Sequence, residues 1–542
     1  MAIHVLLRGG RVVDGTGNPW RYADVAITGE HILDVVHPGS IDVSQASTVV
    51  DAHDMVICPG FIDIQSHSIT PLMVDGRCLS KITQGVTTEI MGEAWTPAPF
   101  GGHIAEPIPH GPHDHRLGEW KQRAHTWRRF GDWLTAMEGK VSPNIGSYLG
   151  AGTLREYVTG MHMARATSDE QRAMHTLMLQ AMDDGAFGVS YALIYPPDAY
   201  ADTEEIVQVC RLVASRGGSY ITHLRSEGDT LLEAVEEAIE IGRCTGVPVE
   251  IYHLKAAGRP NWDKMPAVIE RINEARGMGI DVTADMYPYA ASGTGLASIL
   301  PPWVAADGKF YDNLRDAEVR ARIRHEALNP SGDWEAMATQ TGAEGIMPVG
   351  FEKPEHAAYA GLRLSEIGEL RHQHWLDAAM DLLLAEEQRI FTIYFSMREE
   401  NLEQQLQQPW IKISTDAGGM DPVWAAERGR VHPRAYGTYP RVLGTYVRDK
   451  QTLTLEDAVR KMSGAVADRL SLRQRGLLRA GYFADVVMFD PTTVGDHATF
   501  AEPHQLSTGI RDVWVNGVRV LAAGTHTGAF PGHVVRGSGS RR

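Results

Sequence analysis

The feature that most constrains this chain is the rhythm of its middle. Short apolar runs rich in β-branched residues alternate with amphipathic helical stretches. Nine runs read as strands: 60–66, 87–92, 144–149, 186–193, 218–224, 248–254, 281–286, 389–396 and 411–415. Stretches of helical period lie between many of them, such as Asp229 to Gly242 and Trp262 to Gly277. The first places Leu231, Leu232, Ala234, Val235, Ala238 and Ile239 on one broad face. Strand–helix repetition of this kind argues for parallel βα units. The expected fold is α/β, a (β/α)8 TIM barrel over 59–474. Nine candidates exceed the eight strands of a closed barrel by one. The sequence leaves open which of the later ones is not a stave.

The two ends read differently. Ile3 to Leu7 is a strand, Arg8-Gly9-Gly10 a turn and Arg11 to Val13 a second strand; Asp24 to Ile27, Ile32 to Val36 and Thr48 to Asp51 continue the pattern. Near the other terminus, Gly481 to Asp490 is a strand, and Val513 to Val520 is a hairpin turning at Asn516-Gly517. Neither end has the apolar length for a core of its own. Together 1–58 and 475–542 are expected to form one small β-sandwich domain that brackets the barrel. Residues 300–370 break the rhythm with turn clusters such as Pro301-Pro302-Trp303 and Asn329-Pro330-Ser331-Gly332-Asp333-Trp334, and read as a rim insertion. A loop over 101–128 carries His103, His110, His113, His115 and His125, whose irregular spacing fits surface residues better than ligands. Pro440 to Leu470 reads as helical cover for the last strand.

Charged residues are 22% of the 542 and apolar ones 43%, ordinary for a soluble globular protein. The net charge of −17 argues against a nucleic-acid partner, since phosphate binding needs excess Lys and Arg. The four cysteines, Cys58, Cys78, Cys210 and Cys244, are widely spaced, which fits reduced thiols in a cytoplasmic protein. The opening Met1 to Arg8 reads as a strand and not as a signal peptide. No run reaches the roughly 18 apolar residues of a membrane helix. The expected partner is a small molecule. Oligomeric state is not legible.

In a βα barrel, residues at the C-terminal ends of strands converge on one face. Gln65 and His67 end the first strand, and Glu93 follows the second through Gly92. His223, His253 and Asp416 end later ones. His223 and His253 are thirty residues apart, about one βα unit, which suits two imidazoles on one zinc ion. Glu93 is placed to bind or bridge a metal, and His67 is a further candidate metal ligand. Gln65 is a weak ligand, or an amide partner that orients a carboxylate. Zinc brings hydroxide within reach of neutral pH, and Asp416 can take the water proton and pass it to a leaving nitrogen. Hydrolysis of an amide is the natural reaction class. Arg434, in His432-Pro433-Arg434, is the expected clamp on a substrate carboxylate. Tyr191, Tyr195 and Lys255 are further candidates for the pocket lining.

Several segments resemble the N-acyl-D-amino-acid deacylases, or D-aminoacylases, of the amidohydrolase superfamily. They are Pro59-Gly60-Phe61-Ile62-Asp63, Gln84-Gly85-Val86-Thr87-Thr88, Thr222-His223-Leu224-Arg225 and Met286-Tyr287-Pro288-Tyr289. Ser414-Thr415-Asp416, His432-Pro433-Arg434 with Tyr436-Gly437-Thr438, and Ala484-Asp485-Val486-Val487 complete an ordered set covering almost the full length. The resemblance implies a zinc-dependent barrel that hydrolyses N-acyl-D-amino acids to a carboxylate and a free D-amino acid. It implies tight zinc ligands at His223 and His253, a general acid/base at Asp416 and a carboxylate clamp at Arg434.

The departures lie close to the metal. The family usually has His-x-His on the first strand, where this chain has Gln65 and His67. Its usual Gly-Asn-Cys turn is Gly92-Glu93-Ala94 here, so the metal-binding cysteine is an alanine with a carboxylate beside it. Ala151 stands where a histidine is common. Carboxylate is harder than thiolate, so manganese or cobalt competes better with zinc. The expectation is one firmly bound metal, with a second weak or absent. Two rivals remain at this point. One is a hydrolase of the same fold acting on dipeptides, other amides, cyclic amides or lactones. The other is a barrel that has lost its metal and its catalysis.

Overall fold

The computed structural model describes residues 3–109, 114–331, 334–427 and 429–541. His110 and His113 of the loop, and Gly332 and Asp333 of the insertion, lie outside them.

The parallel strands are β1 (Phe61–Asp63), β2 (Val86–Met91), β3 (Asn144–Ser147), β4 (Gly188–Ala192), β5 (Ser219–His223), β6 (Val249–Ile251), β7 (Val282–Met286) and β8 (Ile411–Ile413). β1, β2 and β3 pair in order. The chain continues from β3 into Leu149–Gly150, which pairs with β4. From β4 the order runs β5, β6, β7, β8, every pair parallel. A parallel bridge between Ser66 and Ala417 joins the continuation of β1 to that of β8. β2, β4, β5 and β7 are buried at every residue, as expected for parallel strands covered on both faces. Ile62, Ile64, Ile90, Ile221 and Tyr252 share one buried cluster. Helices pack outside, among them Thr203–Ser215 and Leu231–Thr245, the second burying Leu231, Ala234, Val235, Ala238 and Ile239.

The ninth strand candidate is not a stave. Residues 389–396 contain the strand Phe391–Tyr394, which pairs antiparallel with Ser292–Gly295 and Ile346–Pro348 in a separate sheet. That sheet and its helices bury a core of their own, including Leu296, Leu314, Leu376, Leu383 and Tyr394. The insertion is therefore wider than 300–370. The strand Phe391–Tyr394 carries the same kind of apolar run as the parallel strands, so the pattern alone does not mark it as foreign.

The terminal strands join into one nine-stranded sheet. Val486–Phe489, from the C-terminal end, pairs with Val56–Pro59, from the N-terminal end. One local reading is corrected. Arg8-Gly9-Gly10 is not a turn, because Ile3–Val12 is a single strand with a bulge between Leu7 and Gly10. Gly9 takes φ +76°, the conformation that lets a bulge form without breaking the strand. Asn516-Gly517 does turn a hairpin, with φ of +47° and +76°. The last residues return to the parallel strands, where Ile145 donates to the His533 carbonyl and Val535 to the Ile145 carbonyl. Among the described residues no helix is long and apolar enough to cross a membrane.

One glycine sets the approach to the site. Gly92 follows β2 at φ +106°, and a Cβ there would lie 2.3 Å from the Tyr148 carbonyl oxygen. Gly92→Ala is expected to cost more than about 1 kcal/mol and to lower the thermal midpoint. Unchanged melting of this variant would show that the turn tolerates a side chain.

Candidate active site

The strand ends bring the candidates together. His223 Nδ1 lies 3.0 Å from His253 Nε2, and Glu93 Oε1 lies 3.7 Å from each. The other Glu93 oxygen, Oε2, is 2.6 Å from Gln65 Nε2 and 3.3 Å from His67 Nε2. His67 Nε2 is also 2.8 Å from Asp416 Oδ1, and Gln65 Nε2 is 3.2 Å from the same oxygen. Two donor groups therefore share one carboxylate: Glu93 with His223 and His253, and Glu93 with His67 and Asp416. A tetrahedral zinc with ligands at about 2.0–2.1 Å has its donors about 3.3 Å apart. The first group matches that spacing with two imidazole nitrogens and an oxygen, so these residues fit a divalent cation.

The electrostatics favour positive charge between them. Burial alone would lift the Glu93 carboxyl. Hydrogen bonds with His223, His253 and His67 outweigh it and hold the group well below the usual carboxylate range. Desolvation lowers His223, but Glu227, Glu335 and Glu93 overcome it and push the imidazole up to about 10. His67 is likewise raised to about 10, against desolvation, by Asp416 and Glu93. A cation of either kind, proton or metal, is stabilised at these rings.

Reading the sequence missed Glu227. Its Oε1 is 3.1 Å from His253 Nδ1 and its Oε2 3.4 Å from His223 Nε2. Each is the ring nitrogen turned away from Glu93, so one carboxylate lies behind both rings, the place of a group that orients metal-binding imidazoles. Lys255 does not stand free in the pocket. Its ammonium is 2.5 Å from Glu227 Oε1 and 2.8 Å from His253 Nδ1, so it balances the charge of Glu227. Glu335, from the insertion, accepts the Glu227 backbone N–H at 3.2 Å and comes within 4.0 Å of His223 Nε2. Glu227 follows His223 by four residues in a loop, where no periodicity marks it. Glu335 arrives from a region with no sequence link to the strands.

The site opens into a cavity of about 740 Å³ lined by both donor groups, Tyr195, Lys255, Tyr287 and Arg434. Arg434 is 3% exposed, lies 2.7 Å from Asp416 Oδ2 and donates to the Gly293 carbonyl. Its guanidinium is 4.5 Å from the centre of the Tyr287 ring, and the Lys255 ammonium is 5.9 Å from the same centre. Tyr195 lines the cavity with its ring 5.8 Å from His223 and its hydroxyl bonded to Thr294.

Tyr191 is a correction. It packs edge-on against Tyr220 at 5.9 Å and is not part of the cavity lining. Alternation along β4 explains this. Ser190 faces Tyr252 and Ala192 stands in register with His223, so Tyr191 points to the helical layer. Ala151 opens the helix Ala151–Thr159, buried but outside both donor groups. His103 and His115 are exposed and His125 is half-buried, and none of them belongs to a donor cluster among the described residues.

Comparison with known proteins gives the chain's relatives. The profile of the amidohydrolase family matches residues 413–521. The D-aminoacylase of Alcaligenes xylosoxydans xylosoxydans is 34% identical over 532 residues, covering 98% of this chain and 97% of that protein. A D-aminoacylase structure, described by its binuclear metal centre with one-metal activation and second-metal attenuation, superposes with a TM-score of 0.80 at 34% identity, over 98% of this chain and all of the other. The N-acyl-D-glutamate deacylase of Bordetella bronchiseptica, complexed with zinc and a phosphonate mimic of the tetrahedral intermediate, gives a TM-score of 0.80 at 29% identity, over 99% and 100% of the two chains. The chain belongs to the D-aminoacylase (N-acyl-D-amino-acid deacylase) family of amidohydrolases.

If Glu227 orients both histidines, Glu227→Gln should weaken metal affinity about 10–100-fold. Chelator competition on the purified protein measures this. Wild-type affinity in the variant would remove Glu227 from the metal's surroundings.

Proposed function

We propose that this chain hydrolyses the C–N amide bond of N-acyl-D-amino acids, releasing a carboxylate and a D-amino acid. The observation that carries the reading is the place of Asp416. One of its oxygens is bonded to His67 and the other faces Arg434, on the cavity wall beside the paired histidines. The family membership and its named substrates support the same reaction.

The architecture belongs to the same proposal: a closed (β/α)8 barrel with a small β-sandwich from both ends. The four free cysteines, three of them buried, support a reducing, cytoplasmic setting. A divalent cation, zinc by the nitrogen-rich donor set with manganese or cobalt as competitors, would be held by His223, His253 and Glu93, and when bound it lowers the pKa of water and polarises a carbonyl. Asp416 takes the proton of the attacking water at its carboxylate and returns it to the leaving nitrogen. Arg434, at the start of the helix Arg434–Arg441, lies over the Tyr287 ring on the cavity wall and receives the substrate carboxylate there. Tyr195 also lines the cavity.

Gln65 takes the place of a second cation. Its amide nitrogen donates to both Glu93 and Asp416, offering two carboxylates a partial positive charge where a metal would otherwise bridge them. One metal is then firmly bound and a second weakly or not at all.

Two measurements test this reading. Zinc-loaded protein should turn over N-acetyl-D-amino acids in preference to their L forms, and Asp416→Asn should lower kcat by about 10²–10⁴-fold. Absence of turnover on every N-acyl-D-amino acid tried would overturn the proposal. Elemental analysis should find about one metal per chain, rising toward two in Gln65→His, since imidazole is a far better ligand than an amide. Two metals in the unaltered protein would show that Gln65 does not exclude the second.

A further inference from the structure

We propose that Asp63, Lys81 and Thr415 form a buried clasp that positions Asp416 against His67, with Thr415 as its central residue. The inference rests on the reading of Asp416 as the proton carrier.

The first and last strands meet only at a narrow seam. Among the described residues β1 and β8 share no ladder, and one bridge, Ser66 with Ala417, joins the segments that follow them. Asp416 and His67 sit on opposite sides of that seam. Their separation is fixed by whatever holds the two segments in register. Asp416 N–H donates to the Gln65 carbonyl and His67 N–H to the Ala417 carbonyl. One step earlier the pattern changes. Thr415 N–H donates to the side chain of Asp63, at 3.0 Å, where a ladder would supply a backbone carbonyl. Asp63 Oδ1 also accepts the Gln65 N–H at 3.3 Å.

The other Asp63 oxygen completes the clasp. Oδ2 accepts the Thr415 hydroxyl at 2.5 Å and the Lys81 ammonium at 2.7 Å. Lys81 also donates to the Thr415 oxygen at 2.8 Å, and the Ala417 N–H reaches that oxygen at 3.2 Å. A hydroxyl has one proton and two lone pairs. Here the proton goes to Asp63, and the lone pairs serve Lys81 and Ala417. Its capacity is filled by three groups from three different segments.

The clasp is fully enclosed. Asp63, Lys81 and Thr415 have no exposed surface. Burial lowers the Lys81 ammonium, and the Asp63 and Glu89 carboxylates overcome that and hold it above its ordinary value. Buried ion pairs add little stability over a well-packed apolar substitute, and their best-attested use is to set register. What this one sets is the turn into Asp416, a non-glycine residue at φ +49°. Such a conformation persists where its surroundings over-determine it. The clasp lies on one side of it, and Gln65, His67 and Arg434 on the other.

Thr415→Val keeps the shape and removes the hydroxyl, whereas Thr415→Ser keeps the hydroxyl. The test measures kcat, KM, metal stoichiometry and melting for both, beside Asp416→Asn. Thr415→Val is expected to lose about 10–100-fold in kcat, the scale of a misplaced catalytic group. KM should stay within about twofold, one metal should remain bound, and Thr415→Ser should recover most of the rate. Wild-type kcat in Thr415→Val, even with a lowered melting point, would overturn the clasp. So would a Thr415→Ser variant as slow as Thr415→Val. Undiminished kcat in Asp416→Asn would instead sink the reading of Asp416. A slow Asp416→Asn beside a fully active Thr415→Val would sink the clasp alone. Lys81→Met, assayed in the same way if it folds, should follow Thr415→Val.

Discussion

The Glu93 carboxylate has one oxygen on each side of the active centre. Oε1 faces His223 and His253, and Oε2 faces Gln65 and His67. The geometry of both donor groups passes through this side chain. It stands where it does because the chain leaves β2 through Gly92, whose backbone lies against the Tyr148 carbonyl. A bulkier residue at 92 would move the carboxylate, and both halves of the site would lose a partner together.

Charge balance explains the ring of residues around that carboxylate. Glu227, Glu335 and Asp416 are buried and Glu93 is half-buried, and isolated buried carboxylates are costly. Each has a partner. Lys255 neutralises Glu227, Arg434 faces Asp416, and Gln65 lends its amide to Glu93 and Asp416. Glu227 lies on the outer side of both histidines, 3.1 Å from His253 Nδ1 and 3.4 Å from His223 Nε2. Gln65 therefore leaves no hole in this polar network. An amide nitrogen carries two protons, and two carboxylates are present to accept them.

Much of the fold was legible from hydrophobic period alone. The strands β1 to β8 match runs read from the sequence to within one residue, and the Asp229–Gly242 face is the one the helix Leu231–Thr245 buries. The errors have local causes. The pair Gly9-Gly10 carries the composition of a turn, but the flanking residues pair with the same partner strand, so the glycines bend one strand instead of ending it. The strand Phe391–Tyr394 has the apolar run of a stave, yet its partners belong to the insertion. Tyr191 was misplaced although the alternation that turns it outward was available in the sequence. Candidate donors at strand ends were readable because parallel strands bring their C-terminal ends to one face.

The sequence by itself determined the class of fold, the donor residues His67, Glu93, His223, His253 and Asp416, and the family likeness. Each of these follows from residue type and from spacing along one strand or one βα unit. Only the tertiary structure decided how those residues are held. Gln65 meets Asp416 across 351 positions of chain, Lys81 meets Thr415 across 334, and Glu335 reaches Glu227 across 108. Local pattern specifies which face of an element is buried, because that depends on the period of the side chains. It does not specify which polar groups meet when the first and last strands come together. That is settled when the chain closes and every buried donor must find an acceptor.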